Sequence, residues 1–468
     1  MTTDTRTQLP ENLFYRSVNG FDIMTPELEE RIEAYCGAYK TFLDNSKTER
    51  ACHANCIRLA EAQGFVPYQP GMALNPGDRI YYAGRGKTLL LAVIGEKALS
   101  AGANISAAHS DSPRLDMLPR PLFEESEMAY LRTQRYGGTR AYQWVAIPLA
   151  LHGCVVLQDG TKVTVSIGEE NNEPQFIITD LLPHLGAEQN KKALGEAFPS
   201  DVMRVFVGSR PLKETDAGKQ VKGYVLAALY RKYGLVEEDL ISAELEVVPA
   251  GKARDIGFDR SMIASYGHDD RVCVFAQLTA LFDLTVPEKT AVCMIADKEE
   301  IGSEGITGAQ SAEMDFFFNE LCKTQDTDLH RCFANSFCIS ADVTSAYDSS
   351  YKSVYENENA AQVNHGIAVV KYTGSGAKGA ASDASAETMG KLRSILNRDG
   401  VLWQAAIMGR AEAGGGGTLA KYIAKRNIET VDAGVAVLSM HAPYEMVSKI
   451  DCYMTYRAIH AVYTARES

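Results

Sequence analysis

The chain has 468 residues, 47 Lys+Arg against 60 Asp+Glu, and a formal net charge of −13. At roughly 150 residues per domain that length suggests two to four domains, and 46% hydrophobic with 23% charged residues supports a large core. So acidic a balance argues against a nucleic acid or an anionic membrane surface as partner, since neither meets the cationic surface it needs. No run of about 18 apolar residues exists to span a bilayer. Met1 to Glu11 is Thr-rich and has no basic-then-apolar leader pattern, so a cytoplasmic protein is expected. Ten cysteines in mostly apolar contexts read as buried free thiols.

In chain order, Tyr15 to Gln63 reads as mostly helical, with Ile32, Tyr35, Cys36 and Tyr39 on one stripe. Cys52 and Cys56 share a helical face with Leu59 and lack a second Cys/His pair, so no metal site is expected there. Gly84-Arg85-Gly86-Lys87-Thr88 ends like a phosphate loop, but Tyr81 occupies the first glycine's place and a strand follows. Leu89 to Gly95 is a continuous apolar run, which suits a strand buried on both faces. Similar runs recur at Ala291 to Ala296, Phe337 to Ala341, Ile367 to Tyr372 and Gly434 to Met440, with helical patterns at Arg271 to Phe282 and Ala386 to Asn397. These alternations predict an α/β sheet covered on both faces.

Between about Pro113 and Pro249 the texture changes. Val163, Val165 and Ile167 alternate with Lys162, Thr164 and Ser166, between turn signals. This predicts antiparallel sheet with one wet face, inserted at 113–249 into an α/β domain formed by 1–112 and 250–468. The tract Gly414 to Gly417 has no dinucleotide fingerprint and is expected to pack its backbone near the active crevice.

The strand-end positions collect metal-binding residue types. His109 and Asp111 follow Asn104 to Ala108; Asp297, Glu299 and Glu300 follow Ala296; Asp342 and His441 end two further runs; Asp269 and Asp270 precede a helix. Ligands of open α/β sheets gather beyond the carboxyl ends of the strands, so these side chains are expected to converge. Any one of them is more simply a cap or a solvated loop charge. Together they form the inventory of a two-metal hydrolase: imidazoles, carboxylates including one to bridge, and a spare carboxylate as base. Glu299-Glu300 offers a ligand and a base from one loop, and His109-Ser110-Asp111 places a carboxylate beside an imidazole it can orient.

At Ala108-His109-Ser110-Asp111-Ser112-Pro113-Arg114, Gly267-His268-Asp269-Asp270-Arg271-Val272-Cys273, Asp297-Lys298-Glu299-Glu300-Ile301-Gly302-Ser303, Ser340-Ala341-Asp342-Val343 and Ser439-Met440-His441 the sequence resembles the aspartyl aminopeptidases, family eighteen of the metallopeptidases. The resemblance covers nearly the whole chain. It implies a three-layer α/β/α, phosphorylase/hydrolase-like catalytic domain with an inserted β-rich dimerisation domain. It implies two divalent ions, zinc in type with Mn or Co as alternatives, on His109, Asp269, Glu300, Asp342 and His441, with Asp269 bridging. Asp111 would orient His109 and Glu299 would be the general base. Peptides would lose single N-terminal residues, acidic Asp or Glu foremost and neutral ones next. The assembly implied is a tetrahedral dodecamer of dimers. The family's eukaryotic members bring a histidine from the partner subunit; here Pro183-His184-Leu185 is present without a histidine in Gly186 to Gln189, leaving His184 as the candidate. The family's acid-reading lysine aligns with Lys378 across a one-residue gap. The rival readings are a deacylase or carboxypeptidase on the same cage, and a non-catalytic assembly protein, which would have no need of Glu299.

Overall fold

The computed structural model describes residues 13–466 apart from 214–215, 217, 375–377, 380, 411–412 and 414. The Thr-rich start, Gly414 of the glycine tract and Ser375 to Ala377 beside Lys378 lie outside the described residues. Among those described, a nine-stranded mixed sheet runs in the order Val66–Pro67, Arg79–Gly84, Thr88–Val93, Thr290–Ala296, Ala103–His109, Phe337–Ser340, Glu429–Gly434, Ile367–Val370 and Trp403–Ala406. From Thr290–Ala296 to Glu429–Gly434 the neighbours are parallel.

The continuous apolar runs have a direct cause. Leu89, Leu91 and Val93 join Ala291, Cys293 and Ile295 in one core, while Leu90 and Ala92 join Val292 and Met294 in another. Successive side chains point to opposite faces, so a strand with a core on each side has no polar positions to spare. The first core takes residues of Pro26–Asp44, Glu49–Ala62, His268–Phe282, Ala386–Arg398 and Lys449–Tyr463; the second takes residues of Glu313–Lys323, Leu329–Ala334 and Ala420–Ala424. Truncating a fully buried leucine such as Leu91 to alanine would cost about 2–5 kcal/mol. Helix ends follow local chemistry: Thr25 caps Pro26–Asp44 through Leu28 N, and Ser448 caps Lys449–Tyr463 through Ile450 N and Asp451 N. Cys52 and Cys56 are buried on one helix with sulfurs 4.0 Å apart. Arg85 and Gly86, both at positive φ, turn the hairpin between Arg79–Gly84 and Thr88–Val93, so the phosphate-loop likeness is a β-turn.

The middle of the chain builds a second, six-stranded sheet ordered Lys162–Ile167, Leu149–Val156, Glu244–Pro249, Arg114–Glu125, Met128–Tyr136 and Arg204–Gly208. Every pairing in it is antiparallel. It has its own core around Trp144, with Val165 and Ile167 buried while Lys162, Thr164 and Ser166 face outward.

One expectation is corrected. The run Gly434 to Met440 is not a strand of the main sheet ending at His441. The main-sheet strand lies upstream, at Glu429–Gly434, and Ala436–Leu438 belongs to a five-stranded sheet with Arg254–Ile256, Met262–Ser265, Glu445–Ser448 and Thr344–Ser345. Gly434 lets the chain cross: a Cβ there would overlap the Asp342 carbonyl oxygen.

Candidate active site

His109 ends its strand opposite Ala296 of the parallel neighbour, so His109 and the loop Asp297 to Glu300 leave the sheet side by side. Asp342 leaves the next strand two residues after Ser340. Asp269 comes from the start of the buried helix His268–Phe282, where it and Asp270 depart from helical φ/ψ. His441 comes from the turn after Ala436–Leu438, at positive φ. His109, Asp269, Glu299, Glu300, Asp342 and His441 all line one cavity of about 440 Å³, whose lining also includes Gly415, Gly416, Gly417, Thr418, Lys421 and Tyr422.

Asp269 lies between the two imidazoles. Its Oδ1 is 3.3 Å from His109 Nε2, and its Oδ2 is 3.1 Å from His441 Nε2. Asp342 Oδ1 stands 3.7 Å from His109 Nε2, and Glu300 Oε1 stands 3.6 Å from His441 Nε2. Ligand atoms of His109, Asp269 and Glu300, and of His109, Asp270 and Asp342, lie within 4.8 Å of one another. Glu300 Oε1 and Asp270 Oδ1 are buried and have no hydrogen-bond partner. A buried oxygen without a donor and 3.6 Å from an imidazole nitrogen, as Glu300 Oε1 is, is what a metal ligand looks like before cations are counted. The donor set fits zinc-type ions.

The residues behind the cavity hold it in shape. Asp111 is fully buried; its Oδ1 is 3.2 Å from His109 Nδ1 and accepts Glu299 N at 3.2 Å, while its Oδ2 accepts Glu300 N at 3.2 Å and Tyr136 Oη–H at 2.8 Å. One carboxylate thus orients the imidazole and grips the turn that carries Glu299 and Glu300. Tyr136 belongs to the antiparallel sheet, and the Arg114 guanidinium stacks 3.8 Å from its ring centroid. Sequence reasoning missed Tyr136, and it missed Glu445, whose buried carboxylate accepts Asp269 N at 3.0 Å and His441 N at 2.7 Å. The only signal for Glu445 was an acid four residues after His441. It also left Asp270 without a role; its Oδ2 accepts His109 N at 3.2 Å.

Burial and, after it, the crowding of like charges set the electrostatics. Burial, partly offset by His109 and reinforced by Asp342, Asp111 and Asp269, pushes the Glu299 carboxyl up to about 8. Burial and the Asp269 charge push Glu300 well above the usual carboxylate range. Burial would depress His441, but its hydrogen bond to Asp269 and the Glu300 charge raise it to about 10. Burial likewise opposes His109, and hydrogen bonds to Asp111, Asp269 and Asp342 outweigh it and raise that imidazole well above its usual value. Added positive charge relieves this kind of crowding.

The weaker sequence candidates lie elsewhere. Lys378, at positive φ and exposed, pairs with Asp383 at 2.8 Å and stacks on Tyr372, outside the cavity lining. His184 is exposed on the short turn Pro183–Leu185 of the antiparallel-sheet region, away from this subunit's cavity lining. His268 hydrogen-bonds Tyr39 at 2.8 Å, and His152 pairs with Glu169 at 2.9 Å. Gly415 to Gly417 of the glycine tract do line the cavity, followed by Thr418, whose hydroxyl donates to Asp432 at 2.6 Å.

A buried cluster of imidazoles and carboxylates at the strand ends of an α/β sheet, with a spare carboxylate beside it, defines a metal-dependent hydrolase. Residues 42–463 match the family model of the Aminopeptidase I zinc metalloproteases (M18). The M18 family aminopeptidase 1 of Borreliella burgdorferi is 41% identical over 453 residues, covering 95% of this chain and 99% of that protein. The crystal structure of the M18 aminopeptidase from Thermotoga maritima superposes with a TM-score of 0.92 at 38% identity, covering 96% of this chain and 99% of that one. The fold alone is shared with the yeast mApe1 dodecamer, at TM-score 0.75 and 19% identity over 92% of this chain and 96% of that one. The chain belongs to the M18 family of zinc aminopeptidases.

Proposed function

We propose that the protein removes single N-terminal residues from peptides, acidic ones foremost and neutral ones next, using two divalent ions. The observation that carries the two-ion reading is the placement of the Asp269 oxygens, one toward each imidazole. His109, Asp342 and one Asp269 oxygen would hold one ion; His441, Glu300 and the other Asp269 oxygen would hold the second. Zinc suits these ligands, as do Mn and Co. Bound there, the ions would supply Lewis acidity toward a peptide carbonyl and a water.

The chain's own groups do the rest. Glu299 accepts a proton from the attacking water as its oxygen bonds the carbonyl carbon, then delivers that proton to the amine as the C–N bond breaks. Asp111 keeps Glu299 in reach through its backbone amide and fixes the His109 ring. The general-base role rests on Glu299 lining the cavity beside the ligand set while its neighbour Glu300 faces His441.

We also read the fold as a three-layer, phosphorylase/hydrolase-like catalytic domain, residues 1–112 and 250–468, with residues 113–249 inserted as a dimerisation domain. The separate core around Trp144 supports that division. We also propose a dodecamer built from dimers, with His184 offered to a partner's site; family membership and the fold shared with the yeast dodecamer support the assembly. Among the described residues no helix is long and apolar enough to cross a membrane, and a cytoplasmic location fits the acidic composition. The deciding experiment is zinc-loaded protein on amino-acyl anilides beside Glu299→Gln. The variant should keep its zinc and lose several orders of magnitude in kcat; a loss under about tenfold, roughly 1.4 kcal/mol of barrier, would remove the base assignment.

A further inference from the structure

Four carboxylates line the cavity: Asp269, Glu299, Glu300 and Asp342. Among the described lining residues only one side chain is a lysine or arginine, Lys421. It lies at the second position of the short helix Ala420–Ala424, half-buried, with Nζ 4.7 Å from the Tyr422 ring centroid. Tyr422 is itself fixed, its hydroxyl donating to Gly302 O at 3.0 Å beside the Glu299 turn. A Cβ on Gly417 would come within 3.2 Å of Lys421 Nζ, so the bare glycine backbone leaves the ammonium room on the cavity wall. No described carboxylate forms an ion pair with it.

We propose that Lys421 is the specificity-determining cation that receives the carboxylate of an acidic N-terminal side chain. This rests on the aminopeptidase reading above. Two divalent ions would balance the four lining carboxylates, leaving the Lys421 charge to be matched by the substrate. The alternative lysine, Lys378, already has its counter-charge in Asp383 and stands outside the lining. With a chain charge of −13 repelling acidic peptides at long range, a local cation is required for such selectivity. The cavity, about 440 Å³, has the volume for a single amino-acid residue and its scissile bond.

The test compares Asp-, Glu-, Asn- and Leu-anilides on zinc-loaded wild type, Lys421→Met, Lys421→Arg and Lys378→Met. Lys421→Met should cut kcat/KM on Asp-anilide roughly ten- to a hundredfold, mostly through KM, with Leu-anilide within about threefold. Lys421→Arg should restore most of the preference. Free L-aspartate should inhibit Leu-anilide cleavage by wild type and lose that potency with Lys421→Met, a binding readout independent of acidic turnover. Should Lys421→Met fail to fold, Lys421→Gln carries the same comparison. Equal losses on Asp- and Leu-anilide would overturn the proposal, as would an Asp preference abolished by Lys378→Met instead. A wild type that prefers Leu to Asp overturns it and leaves the aminopeptidase standing; a wild type that cleaves no anilide overturns both.

Discussion

Tyr136→Phe tests whether the antiparallel sheet takes part in turnover. The substitution deletes one oxygen and keeps the ring on which Arg114 stacks. What is lost is a 2.8 Å hydrogen bond to Asp111, a carboxylate with no exposure that also receives Glu299 N, Glu300 N and the His109 ring. A hydrogen bond to a charged group contributes about 1.5–3 kcal/mol, and three donors to Asp111 remain. At about 1.4 kcal/mol per factor of ten, a loosened Glu299 turn should lower kcat roughly ten- to a hundredfold. KM should stay within about threefold, since the groups lining the cavity are unchanged. Zinc content should also hold, because the proposed ligands are intact. The assay is initial rates on Leu- and Asp-anilide at saturating zinc, with bound metal measured on the same samples. A kcat within twofold of wild type at full zinc would refute the reasoning. So would a kcat per bound zinc that is unchanged, which would make Tyr136 a support for metal affinity alone.

Gly138→Ala should place a Cβ about 2.7 Å from His441 Nδ1, tighter than any real contact, so that ring must shift; zinc content and kcat should both fall, and equal zinc content in variant and wild type would contradict it. His53 is buried and its imidazole is held down to about 4, by burial first, against about 6.5 in an unfolded chain. Its neutral form stabilises the fold above pH 6.5, and roughly 3 kcal/mol of that is lost as pH falls from 6.5 through 4. His53→Gln should therefore flatten the acid side of a urea-midpoint profile, and an unchanged slope would rule the residue out. Light scattering should return twelve times the 51.1 kDa of one chain, and a monomer mass would end the dodecamer reading.

Much of the site was legible because its chemistry is concentrated at strand ends. Runs such as Thr290–Ala296 declare a doubly covered strand, and an acid or imidazole directly after one is easy to see. The run at Gly434 misled because apolarity marks burial but not which sheet a strand joins. The crossing there depends on the missing Cβ of Gly434 against the Asp342 backbone, a fact of tertiary packing. Tyr136, Gly138 and Glu445 were invisible for a related reason. Tyr136 and Gly138 act on residues far away in the chain, and Glu445 on backbone amides, so beyond the bare spacing of Glu445 from His441 they leave no chemical pattern. Lys421 was hidden inside an apolar helical stretch, where a lysine ordinarily points to solvent.

The order of the cavity's residues along the chain bears on how the protein is made. His109 is synthesised about 160 residues before Asp269 and more than 330 before His441. Among the described residues its strand pairs with Thr290–Ala296 and Phe337–Ser340 alone, so it waits unpartnered while the ribosome adds nearly 200 residues. The antiparallel sheet, by contrast, is complete once residue 249 has emerged. A nascent chain therefore carries one finished unit beside a bare strand whose every residue is buried in the folded protein, the condition that invites chaperones and aggregation. If His441 is the last of the proposed ligands, metal loading is completed only after it is translated, so zinc supply would matter at the end of synthesis and not at its start.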